Sequence, residues 1–284
     1  KSKIVFSMPK LIISRKGFDS GTGGFPSPKI GAQLFPLPIP QAGSGIFYAD
    51  MRWEGEMTFL SQMQNLGINL FSEAHLDPDL DEGQISPRPE GWRPVFGQTG
   101  AAASHLRDQG VGPGDLFLFF AWFREAGRNE KGVLRYGKKA PDQHIFYGYL
   151  EVGEVIDLSR EASPKWALYH PHHVFRDRFD SQGNVLYVSA ERSSYWPDKP
   201  GAGLFDWKAE RVLTCKGENR SIWRLPNAFF CKGMCRLSYH EKRQGKAIRG
   251  TAGQWRQVQS VARGQEFVCN INTGIRAWLE SVGP

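Results

Sequence analysis

The pattern of apolar and polar positions is clearest between residues 111 and 157, where VGPGDLFLFFAWFRE passes through a polar, basic insert into QHIFYGYLEVGEVIDL. Pro113 and Gly114 predict a turn, 116–123 a continuous apolar strand, and 145–156 a second strand in which Gly148 and Gly153 mark bulges or close backbone approach. Two long strands with a hydrophilic excursion between them suggest a curled sheet or small barrel. Upstream, 10–14 reads as a buried strand running into the glycine-rich RKGFDSGTGGFPSP. Pro26, Pro28, Pro36, Pro38 and Pro40 keep 25–45 extended or turning, so no helix is expected before Glu54. Helices are expected at 54–66, ended by Gly67, and at 98–109, ended by Gly110. Between them, 75–94 reads as a long loop, and loops of that length in compact domains tend to carry function. Further strands are expected at 185–189, 211–214 and 265–269, with a closing helix at 275–282. No repeat or clean linker divides the chain, so 1–284 is read as a single α+β domain.

Composition supports a folded globular chain, with 40% hydrophobic and 13% aromatic residues. The longest apolar run ends at Arg124, far short of the roughly 18–20 residues a membrane-spanning helix needs. The basic start, interrupted by Lys10, Arg15 and Lys16, does not read as a secretory signal. Four cysteines form no disulfide framework, and we expect a cytoplasmic protein with no membrane partner. The net charge of +7 is unevenly spread: 211–256 holds eleven basic side chains against Glu218 and Glu241. Trp223, Phe229, Phe230, Tyr239 and Trp255 are interleaved with them, a combination suited to single-stranded nucleic acid but equally to a solvated face over an aromatic core. Residues 71–90 carry the opposite sign.

Several groups have chemical capacity. His75, Asp77 and Asp79 alternate, so an extended segment would project all three from one side, as acid and base groups or as a divalent-metal set; alternating carboxylates around Pro78 also suit a solvated turn. Ser14, Arg15, Lys16 and Asp19 sit on a glycine-rich loop after a strand, where backbone N–H groups and cations can hold phosphate; the competing arrangement is a structural turn pairing Asp19 with Arg15. Gln98 could read a base edge and His105 could donate a proton. Trp122 could stack on a base, with Arg124 contacting phosphate or carboxylate, and an aromatic cage from Trp122, Phe123, Tyr147 or Tyr149 could receive a flipped base. His170, His172 and His173 cluster, but their spacing matches no standard zinc pattern, and Cys231 and Cys235 read as buried thiols. No metal ligand is assigned and no cofactor is indicated. GxxxxGK, GxSxG, HExxH and the zinc-deaminase signature are absent.

The block GVGPGDLFLFFAWFRE with HIFYGYLEVGEVI is similar to the signature of PUA-like domains, including their ASCH and EVE branches. Together with SRKGFDSGTGGFPSP, FYAD, HLDPDL, FGQTGAAASHL, LYHPHH and LSYH, it resembles the third nucleotide-modification-associated domain family. The resemblance implies a PUA-like mixed barrel over roughly 96–190 plus later strands, elaborated by the N-terminal Gly/Pro-rich region. It also implies a prokaryotic or phage context of base modification or defence. The expected partner is a nucleotide or nucleic acid, as a single strand or a flipped base, bound between barrel and glycine-rich region. Asp19, His75, Asp77, Asp79 and His105 are the candidate catalytic groups, and Ser14, Arg15, Lys16, Gln98, Trp122 and Arg124 the candidate ligand contacts. A non-catalytic reader of a modified base and a structural subunit of a modification complex are the alternatives.

Overall fold

A computed structural model describes residues 8–230, 248–252, 255–260 and 266–284, without side-chain placement for 248–252. Six strands form the spine of a ten-stranded mixed sheet: β1 (Lys10–Arg15), β2 (Val95–Thr99), β3 (Leu116–Arg128), β4 (Gln143–Asp157), β5 (Asn184–Ser189) and β6 (Phe267–Asn270). They lie in the order β6-β1-β3-β4-β5-β2, with β1 and β3 parallel and the other neighbours antiparallel. Among the described residues the helices are α1 (Phe59–Asn65), α2 (Gly100–Asp108), α3 (Pro171–Val174), α4 (Arg176–Phe179) and α5 (Thr273–Val282). The protein is therefore α+β.

The long β3 and β4 arise from apolar and aromatic runs, which pack well on a pleated surface covered on both sides. Register shifts fall between Phe146 and Gly148 and between Val152 and Glu154, at the glycine-marked positions. The first bulge sends Tyr147 to one face while Phe146 and Tyr149 share the other. All six spine strands contribute to one core, through Ile12, Phe96, Phe119, Tyr147, Tyr187 and Val268, so the sheet curls around its own interior. The other face carries Phe120, Phe146 and Trp223 and is covered by α5 through Trp278.

The curl does not close into the expected PUA-like barrel: among the described residues the backbone ladder stays open between β6 and β2. Side chains cross that gap instead, Glu266 Oε1 accepting from Gln98 Nε2 at 2.5 Å and from Lys16 Nζ at 3.1 Å. Two helices start later than expected. Arg52–Glu54 and Met57–Thr58 form a hairpin around Gly55 at φ +57°, so α1 begins only at Phe59, with Thr58 as its N-cap in a capping box with Ser61. Gln98 and Thr99 pair with Val185 and Asn184 of β5, which delays α2 to Gly100. No strand forms at 211–214; Ala209–Arg211 is a 3-10 turn, and buried Arg211 donates to Val282 O at 2.8 Å and to Gly283 O. Trp223 and Phe229, offered above as base-stacking surfaces, are core side chains. Cys231, Cys235, Tyr239 and His240 lie outside the described residues, whereas Cys215 and Cys269 are buried. Among the described residues no helix is long and apolar enough to cross a membrane.

His144 of β4 is buried against Phe120 and Trp223, and the Trp223 indole N–H donates to its Nδ1 at 2.9 Å. An indole only donates, so Nδ1 keeps its lone pair. Burial, reinforced by Arg15 and Arg220, pushes His144 from 6.5 down to about 3. The unfolded chain therefore binds this proton first, and stability is lost as pH falls below about 6.5 toward 3. We expect the urea midpoint to fall between pH 7 and 4.5, and His144→Gln to flatten that dependence. An unchanged slope in the variant would remove His144 as its source.

Candidate functional site

The loop after α1 covers the free edge of β2. Asp79 exchanges both backbone hydrogen bonds with Val95 at 2.9 Å, and Asp77 Oδ1 accepts from the Gly97 N–H at 2.7 Å. An open strand edge needs such cover, and here a carboxylate supplies part of it. His75 sits on the same segment, held where Ala74–His75 pairs with Ile39–Pro40. From the other side, α3 brings His170 at its N-cap and His172 in its first turn.

These elements surround one buried carboxylate with three imidazoles. His75 Nε2 lies 3.6 Å from Asp77 Oδ2, His172 Nε2 3.7 Å from Oδ2, and His170 Nε2 3.6 Å from Oδ1. All four residues are at most 9% exposed. Donor atoms of His75, Asp77 and His172 all fall within 4.8 Å of one another, so these three could hold a metal ion. The outer ring nitrogens are engaged: His75 Nδ1 with Gln41 Oε1, and His172 Nδ1 with Asn184 Oδ1 at 2.6 Å. Asn184 donates through Nδ2 to His172 O and Asp180 Oδ1, which fixes its Oδ1 as the acceptor and places a proton on His172 Nδ1. Burial alone would raise the Asp77 carboxyl, but contacts from His170 and His75 and the nearby His172 outweigh it and hold Asp77 well below the usual carboxylate range. Burial pushes His172 down to about 3 despite Asp77, so its ring is neutral at pH 7. Tyr147, from the β4 bulge, is raised far above 10 by burial and by Asp77.

Asp79 belongs to a neighbouring network. Arg88 donates to Asp79 Oδ1 and Oδ2 at 2.7 and 2.6 Å, and Tyr169 donates to Oδ2 at 2.5 Å. A cavity of about 110 Å³ opens beside Asp77 and Tyr147, walled by Leu76, Arg52 and the stacked rings of Phe35 and Trp53, whose centroids are 4.1 Å apart. The buried Trp53 indole N–H has no hydrogen-bond partner.

The remaining candidates fall into other groups. Lys16 and Gln98 meet at Glu266, and burial pushes the nearby His105 imidazole down against the opposing effect of Glu266. Successive residues of β2 face opposite ways, so Gln98 points to Glu266 while Gly97 faces the histidines. Trp122 donates to Asp142 at 2.8 Å, Arg124 donates to both Asp142 oxygens, and Arg220 lies over the Trp122 ring at 4.0 Å. Asp19 Oδ1 caps the Gly21 and Thr22 N–H groups at 2.7 Å, and Oδ2 pairs with Arg15 at 3.4 Å, the turn arrangement weighed above. Ser14 is fully buried, with its hydroxyl unpartnered. The aromatic rings considered for a cage are divided: Phe123 and Tyr147 pack together in one core and Tyr149 lies in the other, while Trp122 packs under Arg220. His170, His172, Gln41 and Asn184 were not among the sequence candidates for the site. The HPHH string was the only signal for the first two, and nothing in it pointed to residue 77.

At Gly97 the strand and α3 approach closely, since a Cβ there would lie 2.3 Å from His172 Cδ2. Gly97→Ala should destabilise the protein by about 1–3 kcal/mol through overpacking and displace His172. A thermal midpoint equal to that of the wild type would contradict this packing.

The model of the family "Nucleotide modification associated domain 3" matches residues 10–270, nearly the whole described sheet and every residue of the carboxylate–imidazole cluster. No curated protein and no solved structure matched the chain. With the match covering most of its length, the chain belongs to the nucleotide modification associated domain 3 family.

Proposed function

We propose that this protein binds a nucleotide or nucleobase, as a free nucleotide or a base flipped from a strand, and acts in DNA or RNA base modification. The observation that carries the reading is the cavity beside Asp77. It joins a flat aromatic wall, an indole donor lacking a partner and a buried carboxylate–imidazole group, within a chain of a nucleotide-modification family. Flat walls suit base stacking, and a satisfied Trp53 donor would favour a ligand that offers an acceptor. Asp77, which lines the cavity, and His75, 3.6 Å from it, are the acid/base candidates; Asp79 acts through Arg88 and Tyr169 to hold the loop. Lys16, Gln98 and His105 form a second polar group, and Ser14 and Asp19 shape the turn between β1 and the cavity wall.

A second reading, a non-catalytic reader of a modified base, draws on the opposite face of the sheet. A cavity of about 670 Å³ there is bordered by Trp207, Trp255, Arg224 and Lys216, close to Asp142. Arg15, Arg124 and Arg220 lie nearby, so this face suits a phosphate backbone. PUA-like relatives of this reading, the defence context and a single domain over 1–284 belong to the same proposal.

The two readings separate by binding. We expect mononucleotides or nucleosides to bind the wild type and Trp53→Ala to weaken them at least tenfold, with Arg224→Ala little changed. Salt-sensitive binding of modified oligonucleotides, lost in Arg224→Ala and kept in Trp53→Ala, would favour the reader. Binding of neither ligand at millimolar concentration overturns both.

A further inference from the structure

We propose that His75, Asp77 and His172 bind one divalent transition-metal ion, of the Fe²⁺ or Zn²⁺ class, in a site with coordination positions left open for other ligands. The inference rests on the cluster's geometry and not on the nucleotide reading.

The inner distances are the first argument. Nε2 of His75 and of His172 stand 3.6 and 3.7 Å from Asp77 Oδ2. Both exceed the roughly 2.7–3.2 Å of a hydrogen bond. Three N and O atoms bound to one ion at about 2.0–2.2 Å stand about 3.0–3.6 Å apart, so the two nitrogen-to-carboxylate distances need contract by only a few tenths of an ångström, and all three donor atoms already lie within 4.8 Å of one another.

The outer shell is the second argument. A ligating imidazole turns one nitrogen to the metal and donates the other N–H to an oxygen, which fixes tautomer and ring orientation. His172 does this through Asn184, whose own amide is locked by two donated bonds, and His75 faces Gln41 in the same manner. The nitrogens turned toward Asp77 are in both cases Nε2.

His170 supplies an independent observation. Its Nδ1 accepts from the His172 N–H at 3.3 Å, while its fully buried Nε2, 3.6 Å from Asp77 Oδ1, has no hydrogen-bond partner. With Nδ1 accepting, Nε2 carries a proton, so His170 is a donor beside the site and not a fourth ligand. A water or ligand oxygen on the ion would complete that bond.

Two histidines and one carboxylate, with no thiolate among them, favour Fe²⁺ or Zn²⁺ over Ca²⁺ or Mg²⁺, and three protein ligands leave positions open, as structural zinc sites do not. Asp77 also lines the adjacent cavity, which gives those positions access to a small molecule.

The test uses chelator-stripped full-length protein titrated separately with Fe²⁺ under anaerobic conditions, Zn²⁺ and Mg²⁺, with metal content measured by mass spectrometry after desalting. We expect one Fe²⁺ or Zn²⁺ per chain and no retained Mg²⁺. Asp77→Asn and His172→Ala should lower affinity at least a hundredfold, and Gln41→Ala about 10- to 100-fold through loss of ring orientation. His173→Ala should change nothing, because that ring bonds Ser163 instead. Circular dichroism keeps misfolding distinct: Asp77→Asn should retain the wild-type spectrum and lose the metal-dependent rise in melting temperature. Uptake of neither ion by the wild type, or equal uptake by folded Asp77→Asn, overturns the proposal.

Discussion

The site depends on one hydrogen bond, from the Gly97 N–H to the Asp77 carboxylate at 2.7 Å. It solves two problems together. The outermost strand of a curled sheet has an open edge, and the covering loop must hold its place without a strand of its own. A side-chain acceptor satisfies the edge donor and carries a negative charge into the protein, which then requires polar company. Three imidazoles provide it, and the absence of a side chain at residue 97 lets His172 come near enough to take part.

Surrounding features follow from this constraint. Asp79 extends the edge contact by two backbone bonds and turns its own carboxylate to Arg88 and Tyr169, so neighbouring charges are kept in separate networks. The β4 bulge at Phe146–Gly148 swings Tyr147 toward Asp77 and the cavity. Across the sheet, Trp122, Arg124, Arg220 and Asp142 make a different surface, aromatic and cationic. The carboxylate–imidazole cluster and this aromatic, cationic surface thereby stand on opposite faces of β3 and β4.

Much of this fold was legible in the sequence where the pattern is local. The apolar runs of β3 and β4, their glycine bulges, and the closing helix with Ile275, Trp278 and Val282 buried all carry their own signal. Arg211 does not: a basic residue in an apolar run suggested a strand, and only its bonds to the carbonyls of Val282 and Gly283 explain its burial. Barrel closure likewise depends on how two distant edges meet, which periodicity does not encode. His75 and Asp77 were visible as an alternating pair. His170 and His172 join them from almost a hundred residues downstream, on a four-residue helix too short to leave a pattern.

The central claim is that Asp77 and two of its imidazoles act as one set of ligands. X-ray absorption at the metal edge of the Zn²⁺- or Fe²⁺-loaded protein tests it directly. The account predicts a first shell of nitrogen and oxygen at about 2.0–2.2 Å with the outer-shell scattering of two imidazoles and no sulfur. Sulfur in the first shell, or a spectrum without imidazole scattering, would contradict it.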